Sequence, residues 1–430
     1  MKKYLCLIAF TFFVLPTSLK SENSTEKDST TRCTFLINIE ASGELNYWSL
    51  KNVADMAFAL PNKEINILVQ WHLGKDLAWR FLIEHKNLKL ISCLSAGENI
   101  VTELVDSIKW AVNDYPAEHY CWIWWNHGFG ILDPHLVENS STGFYWEAEV
   151  DDISAECTNG ACPLRGILFD DDSKTYLTNS QMVEVLKETT ENVLHGKKLD
   201  ILGADCCKMA MFEVDYQIKD YVDYFIGSQN CEIYDGWDYK EMFSSFGNKL
   251  SPEQIVKNVV KTYDTYYKKE AAQGIYTLSA VDLSFSDQLT TNINKIVSLC
   301  KQCMEIDHEI FKQLVINARS RCIQMCDAPF YTDLDCFYSE LLKELESQQS
   351  DSIFTTDLLE ELTKHLKLGK DIITKMVVAN ATGKNIKKAK GVSIYFPKYH
   401  IDNSYIDTLA AKNTLWLDFL KDMVQENIVF

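Results

Sequence analysis

The chain contains 430 residues, of which 47% are hydrophobic and 24% are charged, the composition of a globular protein with a large core. This length corresponds to two or three domains or to one enlarged domain. The formal charge of −19 argues against a nucleic-acid backbone as the main partner and would weakly attract cationic substrates.

The N-terminal segment has the pattern of a secretory signal peptide. Lys2 and Lys3 form a basic start, and the apolar run LCLIAFTFFVLP that follows is too short to cross a membrane comfortably. Residues 1–20 are therefore predicted to be the signal, with cleavage after Ser18 or Ser21. The polar residues 21–32 are predicted to be a disordered linker. We expect a secreted or periplasmic protein with no membrane span in the mature chain.

Strand-like and helix-like segments alternate through the first half of the chain. The predicted strands are 33–40 (CTFLINIE), 65–71 (INILVQW), 88–94 (LKLISCL), 120–125 (YCWIWW), 199–204 (LDILGA) and 221–228 (YVDYFIGS), and the predicted helices are 49–60, 99–115, 177–193 and 209–220. Such alternation predicts an α/β fold with right-handed crossovers and a parallel sheet covered by helices on both faces. The nearly continuous apolar strands are typical of a sheet buried on both sides.

A long irregular segment, 128–178, interrupts this alternation. A structureless connection of this length inside a compact domain is usually functional or disordered. Cys157 and Cys162 could staple it. The acidic triplet 170–172 (DDD) could bind calcium, a hard cation that prefers several oxygen ligands, although a solvated acidic turn is the alternative.

Residues 250–388 are predicted to form a mainly helical subdomain. The segment 251–269 starts with a Ser cap and a Pro at the first helical position, and strand character is limited to 275–283. A clear strand, 391–397 (GVSIYFP), and a closing helix follow. We expect residues 389–430 to rejoin the sheet through this strand and helix.

Cysteine usage leaves several possibilities open. Of fourteen cysteines, one lies in the signal peptide, so the odd number that remains leaves at least one thiol potentially reactive. CKQC (300–303) and CIQMC (322–326) lie on predicted helices. In an exported chain, disulfides between neighbouring helices are expected there, and a zinc site is the alternative.

Two reactive side chains directly follow predicted strands. Cys207 lies where LDILGA gives way to a predicted helix, and His127 follows YCWIWW. Because the carboxyl ends of parallel strands meet at one edge, the thiol and the imidazole are expected to lie together, and the helix dipole would favour a thiolate. The backbone N–H groups of Gly128 and Cys207 are candidate oxyanion donors. Alternatively, these residues are a structural cysteine pair and a histidine that ends a strand.

Five motifs in a fixed order carry a family resemblance. They are NHGFG (126–130), DDSKTYLT (171–178), DCCKM (205–209) with Glu213, SQNCEIYDGWDY (228–239) and GVSIYFP (391–397). Together they resemble the clostripain family of cysteine peptidases in the caspase-like clan, over most of residues 33–425. The resemblance implies a caspase-like three-layer αβα sandwich with a mostly parallel sheet, a catalytic core at 33–249 and a mainly helical C-terminal subdomain.

The resemblance also implies roles for individual residues. Cys207 falls on the nucleophile of the family and His127 on its histidine, whereas Cys206 occupies the position of a small residue and is the alternative nucleophile. Members of this family cleave after Arg or Lys, which implies an acidic pocket. Asp205 would be one wall of this pocket and Asp235 a second candidate. Their alternatives are a helix cap for Asp205 and an ordinary turn residue for Asp235.

Zymogens of this family are cut between the histidine and the cysteine. In this chain the implied activation loop is about 128–178, and Arg165 and Lys174 are its candidate cleavage points. The expected enzyme requires no organic cofactor or metal, with calcium dependence possible, and acts as a monomer on proteins or peptides that contain basic residues. Two alternatives stay open, namely a catalytically inactive caspase-like binding module and a metal- or redox-active protein built on the helical cysteines.

Overall fold

The structure is a computed structural model that describes residues 32–73, 77–95, 97, 99–133, 135–139, 143–147, 166–170, 175–247, 251–271, 274–325, 328–347 and 353–424. The predicted signal peptide, residues 21–31 and the candidate cleavage points Arg165 and Lys174 lie outside the described residues, as do Asp171, Asp172, Cys157 and Cys162. Within the described ranges, no helix combines the length and apolar character needed to cross a membrane.

The strands of the described ranges are β1 (Cys33–Ala41), β2 (Ile65–Leu73), β3 (Leu77–Glu84), β4 (Asn87–Ser95), β5 (His119–Trp125), β6 (His135–Asn139), β7 (Gly143–Glu147), β8 (Ile167–Asp170), β9 (Thr175–Leu177), β10 (Leu199–Asp205), β11 (Val222–Gly227), β12 (Thr277–Asp282), β13 (Gln324–Met325), β14 (Ala328–Asp333), β15 (Val377–Thr382) and β16 (Ser393–Tyr395).

The helices are α1 (Leu45–Phe58), α2 (Ile100–Asp114), α3 (Asn179–Glu188), α4 (Phe212–Ile218), α5 (Tyr239–Ser244), α6 (Pro252–Glu270), α7 (Ser286–Ile306), α8 (His308–Ser320), α9 (Leu334–Ser347), α10 (Thr356–Met376), α11 (Asn403–Ile406), α12 (Leu409–Asn413) and α13 (Trp416–Met423).

A nine-stranded sheet, in the order β15-β12-β11-β10-β5-β1-β2-β3-β4, forms the centre of the molecule. Its five middle strands, from β11 to β2, are parallel, whereas β12 and β15 at one edge and β3 and β4 at the other are antiparallel to their neighbours. Crossover connections between the parallel strands place helices over the sheet.

Helices cover both faces of this sheet. Phe35 packs into the core beneath α1, α5 and α6, whereas Leu36, the next residue of β1, packs into the core on the opposite face, which includes α2, α4 and α7. This separation follows from the two-residue period of a strand. The structure confirms the predicted α/β class, the three-layer αβα sandwich and the helical character of the C-terminal region.

The strand register places the candidate functional residues side by side at the carboxyl ends of two neighbouring strands. Asp205, the last residue of β10, pairs with Trp125, the last residue of β5. The chain segments that leave these two strands therefore start side by side at the carboxyl edge of the sheet, where ligands bind in open α/β folds.

Three features of the sheet differ from the sequence prediction. Strand β3, which pairs with β2 and β4, was not among the predicted strands. The segment 391–397 does not rejoin the large sheet, because β16 pairs instead with β14 in a three-stranded sheet. The strand that returns is β15, which pairs with β12 and follows α10 directly. Its sequence, VVANAT, mixes apolar and polar residues at the sheet edge, so it lacks the apolar run that marks a buried strand.

Candidate active site

The two adjacent cysteines after β10 lie in different surroundings. Cys206 is 1% exposed and its thiol donates to the carbonyl O of Trp124 at 3.4 Å. Burial raises the pKa of the Cys206 thiol well above its usual value. Cys207 is 9% exposed, and its Sγ accepts the backbone N–H of Glu232 at 3.3 Å. Both are free thiols, and Cys207 is the more exposed of the two.

The segment that carries His127 packs against Cys207. A Cβ atom added to Gly128 would lie 2.7 Å from the carbonyl O and 3.3 Å from the backbone N of Cys207. His127 itself is 4% exposed, and its carbonyl O accepts the N–H of Leu168 at 3.2 Å. The structure thus places the segment that carries His127 against Cys207, and the two predicted oxyanion donors, on Gly128 and Cys207, lie on neighbouring backbone segments.

The expected helix N-terminus at Cys207 is not present. Helix α4 begins at Phe212, with Met211 as its N-cap, and contains seven residues. Backbone hydrogen bonds hold the intervening segment in an irregular conformation, from Lys208 N–H to the Asn230 carbonyl and from Ala210 N–H to the Ser228 carbonyl. These tertiary contacts delay the helix, so its dipole lies too far away to act on Cys207.

Asp205, two residues before Cys207, is buried. Its Oδ2 accepts the hydroxyl of Tyr239 at 2.8 Å and the backbone N–H of Trp237 at 3.2 Å. Burial raises the pKa of Asp205, and the hydrogen bonds that it receives oppose this shift. The carboxylate does not cap a helix, because α4 is capped by Met211 without a side-chain hydrogen bond. It points instead into the YDGW segment.

Asp235 is engaged with two helices. Its Oδ2 accepts the hydroxyl of Tyr266 on α6 at 3.0 Å, and its Oδ1 lies 3.7 Å from Nζ of Lys51 on α1. Its carbonyl O accepts the amide of Asn52 at 2.9 Å. The N–H of Gly236, which has a φ of +66°, donates to Ile233 in the same turn. Asp235 thus fixes a turn between α1 and α6.

Two further residues of this region were not identified from the sequence. The side chain of Glu232 forms a hydrogen bond with that of Asp205. Tyr263, on α6, is 1% exposed, and burial, followed by the nearby charge of Glu232, raises the pKa of its hydroxyl. Glu232 lies within the motif 228–239 but was given no role there, because it reaches the site only through the pairing of β11 with β10. Tyr263 belongs to a helix with an ordinary amphipathic pattern.

A second polar group, which we call the distal cluster, lies at the same sheet edge and consists of Glu40, His72, Arg80 and Glu103. Oε2 of Glu40 lies 3.5 Å from Nδ1 of His72, and Oε2 of Glu103 lies 3.9 Å from Nε2 of the same ring. Arg80 donates to Asp106 at 2.7 Å. Three or more ligands arranged for a metal ion occur neither here nor elsewhere in the described ranges.

The cysteines of the helical region are buried free thiols where the structure describes them. Cys300 and Cys303 lie on α7, whereas the thiol of Cys322, after α8, hydrogen-bonds to that of Cys336 on α9. Cys326 lies outside the described residues. The predicted disulfides between CKQC and CIQMC are therefore not formed by these three cysteines.

Comparisons with known proteins give one family and a set of solved structures. The model of the clostripain family matches residues 155–423. The chain is similar to a secreted C11 cysteine protease from Bacteroides thetaiotaomicron in complex with an irreversible peptide inhibitor, at 16% identity and a TM-score of 0.60, over 91% of this chain and 99% of that chain. It is similar to a second structure of such a protease from that organism at 15% identity and a TM-score of 0.62, over 90% and 99%.

A third solved structure is an inactive zymogen C11 protease from Parabacteroides distasonis, at 18% identity and a TM-score of 0.57, over 93% of this chain and 100% of that chain. At these identities the likeness shows a shared fold. No curated protein sequence matched the chain.

Proposed function

Because the chain belongs to the clostripain family of cysteine peptidases, as its motifs predicted, we propose that it is an endopeptidase that cleaves peptide bonds after Arg or Lys. The observation that carries this proposal is the contact between Gly128 and Cys207. That contact brings the segment with His127 against the nucleophile candidate, and an imidazole and a thiol are the two groups that this type of acyl transfer needs.

The proposed reaction proceeds through an acyl-enzyme. The thiolate of Cys207 attacks the scissile carbonyl, and the backbone N–H groups of Gly128 and Cys207 stabilise the oxyanion. His127 donates a proton to the leaving amine and then accepts one from the attacking water. Cys206 has no part in this reaction, because its thiol is enclosed and donates to a backbone carbonyl.

Cleavage after basic residues is supported by the acidic side chain of Asp205, close in the chain to Cys207. Asp205 lies two residues before the nucleophile and is held by Tyr239 and Trp237. A carboxylate there would form charge-assisted hydrogen bonds with a guanidinium or ammonium group. The formal charge of −19 would attract substrates that carry such groups.

Activation by cleavage between His127 and Cys207 completes the proposal, with Arg165 and Lys174 as the cleavage points. The inactive zymogen among the similar structures supports this order of events. The N–H of Leu168, three residues after Arg165, donates to the carbonyl of His127, so a cut at Arg165 would free a strand that contacts the site. The test is autolysis of the wild type against Cys207→Ala, and equal processing of both would exclude self-activation.

Further properties belong to the same proposal. The similar proteases from Bacteroides thetaiotaomicron are secreted, which supports export of this chain through its predicted signal peptide. We propose a monomeric enzyme that needs no organic cofactor and acts on proteins or peptides with basic residues. Calcium binding near Asp170 stays a prediction, to be tested by adding a chelator during the assay.

The decisive experiment is hydrolysis of four reporter peptides with Arg, Lys, Asp or Asn before the scissile bond. We expect cleavage of the Arg and Lys peptides, no activity in Cys207→Ala and activity close to wild type in Cys206→Ala. A chloromethyl ketone with a basic side chain should label Cys207. A protein that cleaves none of the peptides and is not labelled after loop cleavage is instead the inactive binding module.

A further inference from the structure

We propose that Glu232, together with Asp205, binds the basic side chain of the substrate, and that Asp235 is a structural residue outside this pocket. This inference rests on the proposed function and gives a role to a residue of the motif 228–239 that the sequence analysis left without one. The substrate residue on the acyl side of the scissile bond is called P1 below.

The position of Glu232 relative to the sulfur is the first support. Its backbone N–H donates to Sγ of Cys207 at 3.3 Å, so its backbone is fixed beside the point of attack. Its side chain forms a hydrogen bond with that of Asp205, two residues before the nucleophile. The side chain of the P1 residue, whose carbonyl is attacked, would therefore extend toward two carboxyl groups.

No described residue supplies a cation to the two carboxyl groups. Neither Asp205 nor Glu232 forms an ion pair with any described residue. Burial, the charge of Asp205 and the hydrogen bond between the two groups raise the pKa of Glu232 well above its usual value. A raised pKa favours the protonated form of Glu232, and a bound cation could take the place of that proton.

Unused hydrogen-bonding capacity lies at the same place. Oε2 of Glu232 and the hydroxyl of Tyr263 are buried, and neither forms a hydrogen bond with any described donor or acceptor. Buried polar atoms are nearly always paired, so unpaired ones next to a candidate nucleophile point to a ligand that supplies the partners. Both an ammonium and a guanidinium group offer several donors for these oxygens.

Asp235 lacks this unused capacity. Its two carboxylate oxygens face Lys51 and Tyr266, and its carbonyl O is bonded to Asn52. Lys51 already supplies a positive charge, and it also binds Asp55 at 3.0 Å. A substrate cation would have to compete with this lysine, whereas at Glu232 it replaces only a proton.

The replacement of a proton makes substrate binding depend on pH. When a basic side chain binds, Glu232 ionises and its proton passes to solvent, so KM for a basic substrate should fall as pH rises toward the pKa of Glu232. The other titratable groups that face the pair are Cys206, Cys207, Tyr239, Tyr263 and Tyr267.

The test uses two matched reporter peptides, one with Arg at P1 and one with citrulline, its neutral analogue. We expect Glu232→Gln to raise KM for the Arg peptide about 10- to 100-fold, with kcat within about threefold, because it removes one charge-assisted hydrogen bond. KM for the citrulline peptide should change little, and the pH dependence of KM should disappear. Tyr263→Phe should raise KM for the Arg peptide about threefold or more.

Asp235→Asn tests the competing assignment, in which Asp235 binds the substrate. Glu241→Gln, at an exposed site on α5, controls for the loss of a surface charge. The rate at which uncharged iodoacetamide alkylates Cys207 reports whether each variant is correctly folded at the site. A larger rise in KM for Asp235→Asn than for Glu232→Gln would overturn this inference but leave the proposed function standing. A wild-type enzyme that prefers citrulline or cleaves only after other residues would overturn the proposed function as well.

Discussion

Two groups of acidic side chains lie at the same edge of the sheet, and among the described residues only one of them includes basic side chains. In the distal cluster, Glu40 and Glu103 flank the ring of His72 at 3.5 and 3.9 Å, and Arg80 binds Asp106. In the pair Asp205 and Glu232, which we call the pocket pair, neither carboxyl group forms an ion pair with a described residue.

The difference shows that acidic character alone does not indicate a binding site. Glu40 and Glu103 lie on either side of a histidine of the fold, which can serve as their polar partner without a ligand. Glu232 is compensated only by a proton, and one of its oxygens has no hydrogen-bond partner among the described residues. Unused hydrogen-bonding capacity close to a reactive thiol is therefore the more informative signal.

The largest effect that separates the two regions is expected from their histidines. His127→Ala should lower kcat/KM about 1,000-fold or more, because it removes the proposed general acid and base. His72→Ala should lower it less than about threefold, since this ring belongs to the distal cluster. Steady-state hydrolysis of an Arg reporter measures both, and similar losses in the two variants would remove the functional distinction between the regions.

The next prediction concerns the distal cluster and pH. Burial, followed by the charge of Asp170, raises the pKa of Glu40 to about 8. Glu40 is thus protonated in the folded protein at pH values where it would ionise in the unfolded chain. The stability linked to it is present below its unfolded pKa and is lost as pH rises toward 8.

Glu40→Gln stays neutral and should not show this loss. Between pH 5 and pH 8 we expect the variant to gain on the order of 2 kcal/mol over wild type, less than the full shift would give because His72 and Glu103 also titrate in the cluster. Urea unfolding at the two pH values measures the difference. Parallel stability curves would show that Glu40 does not carry a proton in the folded state.

A smaller effect is expected at the turn beside the pocket pair. Gly236 has a φ of +66°, and an added Cβ would lie 2.9 Å from Oδ1 of Asn52 and 3.0 Å from Oδ2 of Asp205. Gly236→Ala should lower stability by about 1–2 kcal/mol and raise KM for an Arg reporter, because Asp205 must move. Thermal unfolding and KM measured together test this, and a lower stability with unchanged KM would place Asp205 outside the pocket.

The smallest effect is expected at the rim of the distal cluster. Asp106 is 62% exposed where it binds Arg80, so Asp106→Asn should lower stability by less than about 1 kcal/mol. Arg80 is also held by Gln70 and by the Trp110 ring, which limits the loss further. High salt should reduce the difference, and a salt-independent loss above this range would indicate a buried role for the pair.

The sequence predicted the ends of the strands at the site more accurately than it predicted the start of the following helix. Cys207 and His127 were placed correctly at neighbouring strand ends, because apolar runs reveal where buried parallel strands end. The helix expected at Cys207 begins only at Phe212, since backbone bonds from Lys208 and Ala210 to the segment after β11 compete with helical ones. Local periodicity does not report such long-range bonds.

The sequence alone determined the five parallel strands, the sandwich class and the position of the candidate thiol and imidazole at strand ends, because all of these follow from local hydrophobic patterns and short motifs. Only the tertiary structure decided which strand returns to the sheet, which of the nearby acids lacks a cation and which sulfur is enclosed. These outcomes depend on contacts between residues distant in the chain, such as Glu232 with Asp205 and Lys51 with Asp235.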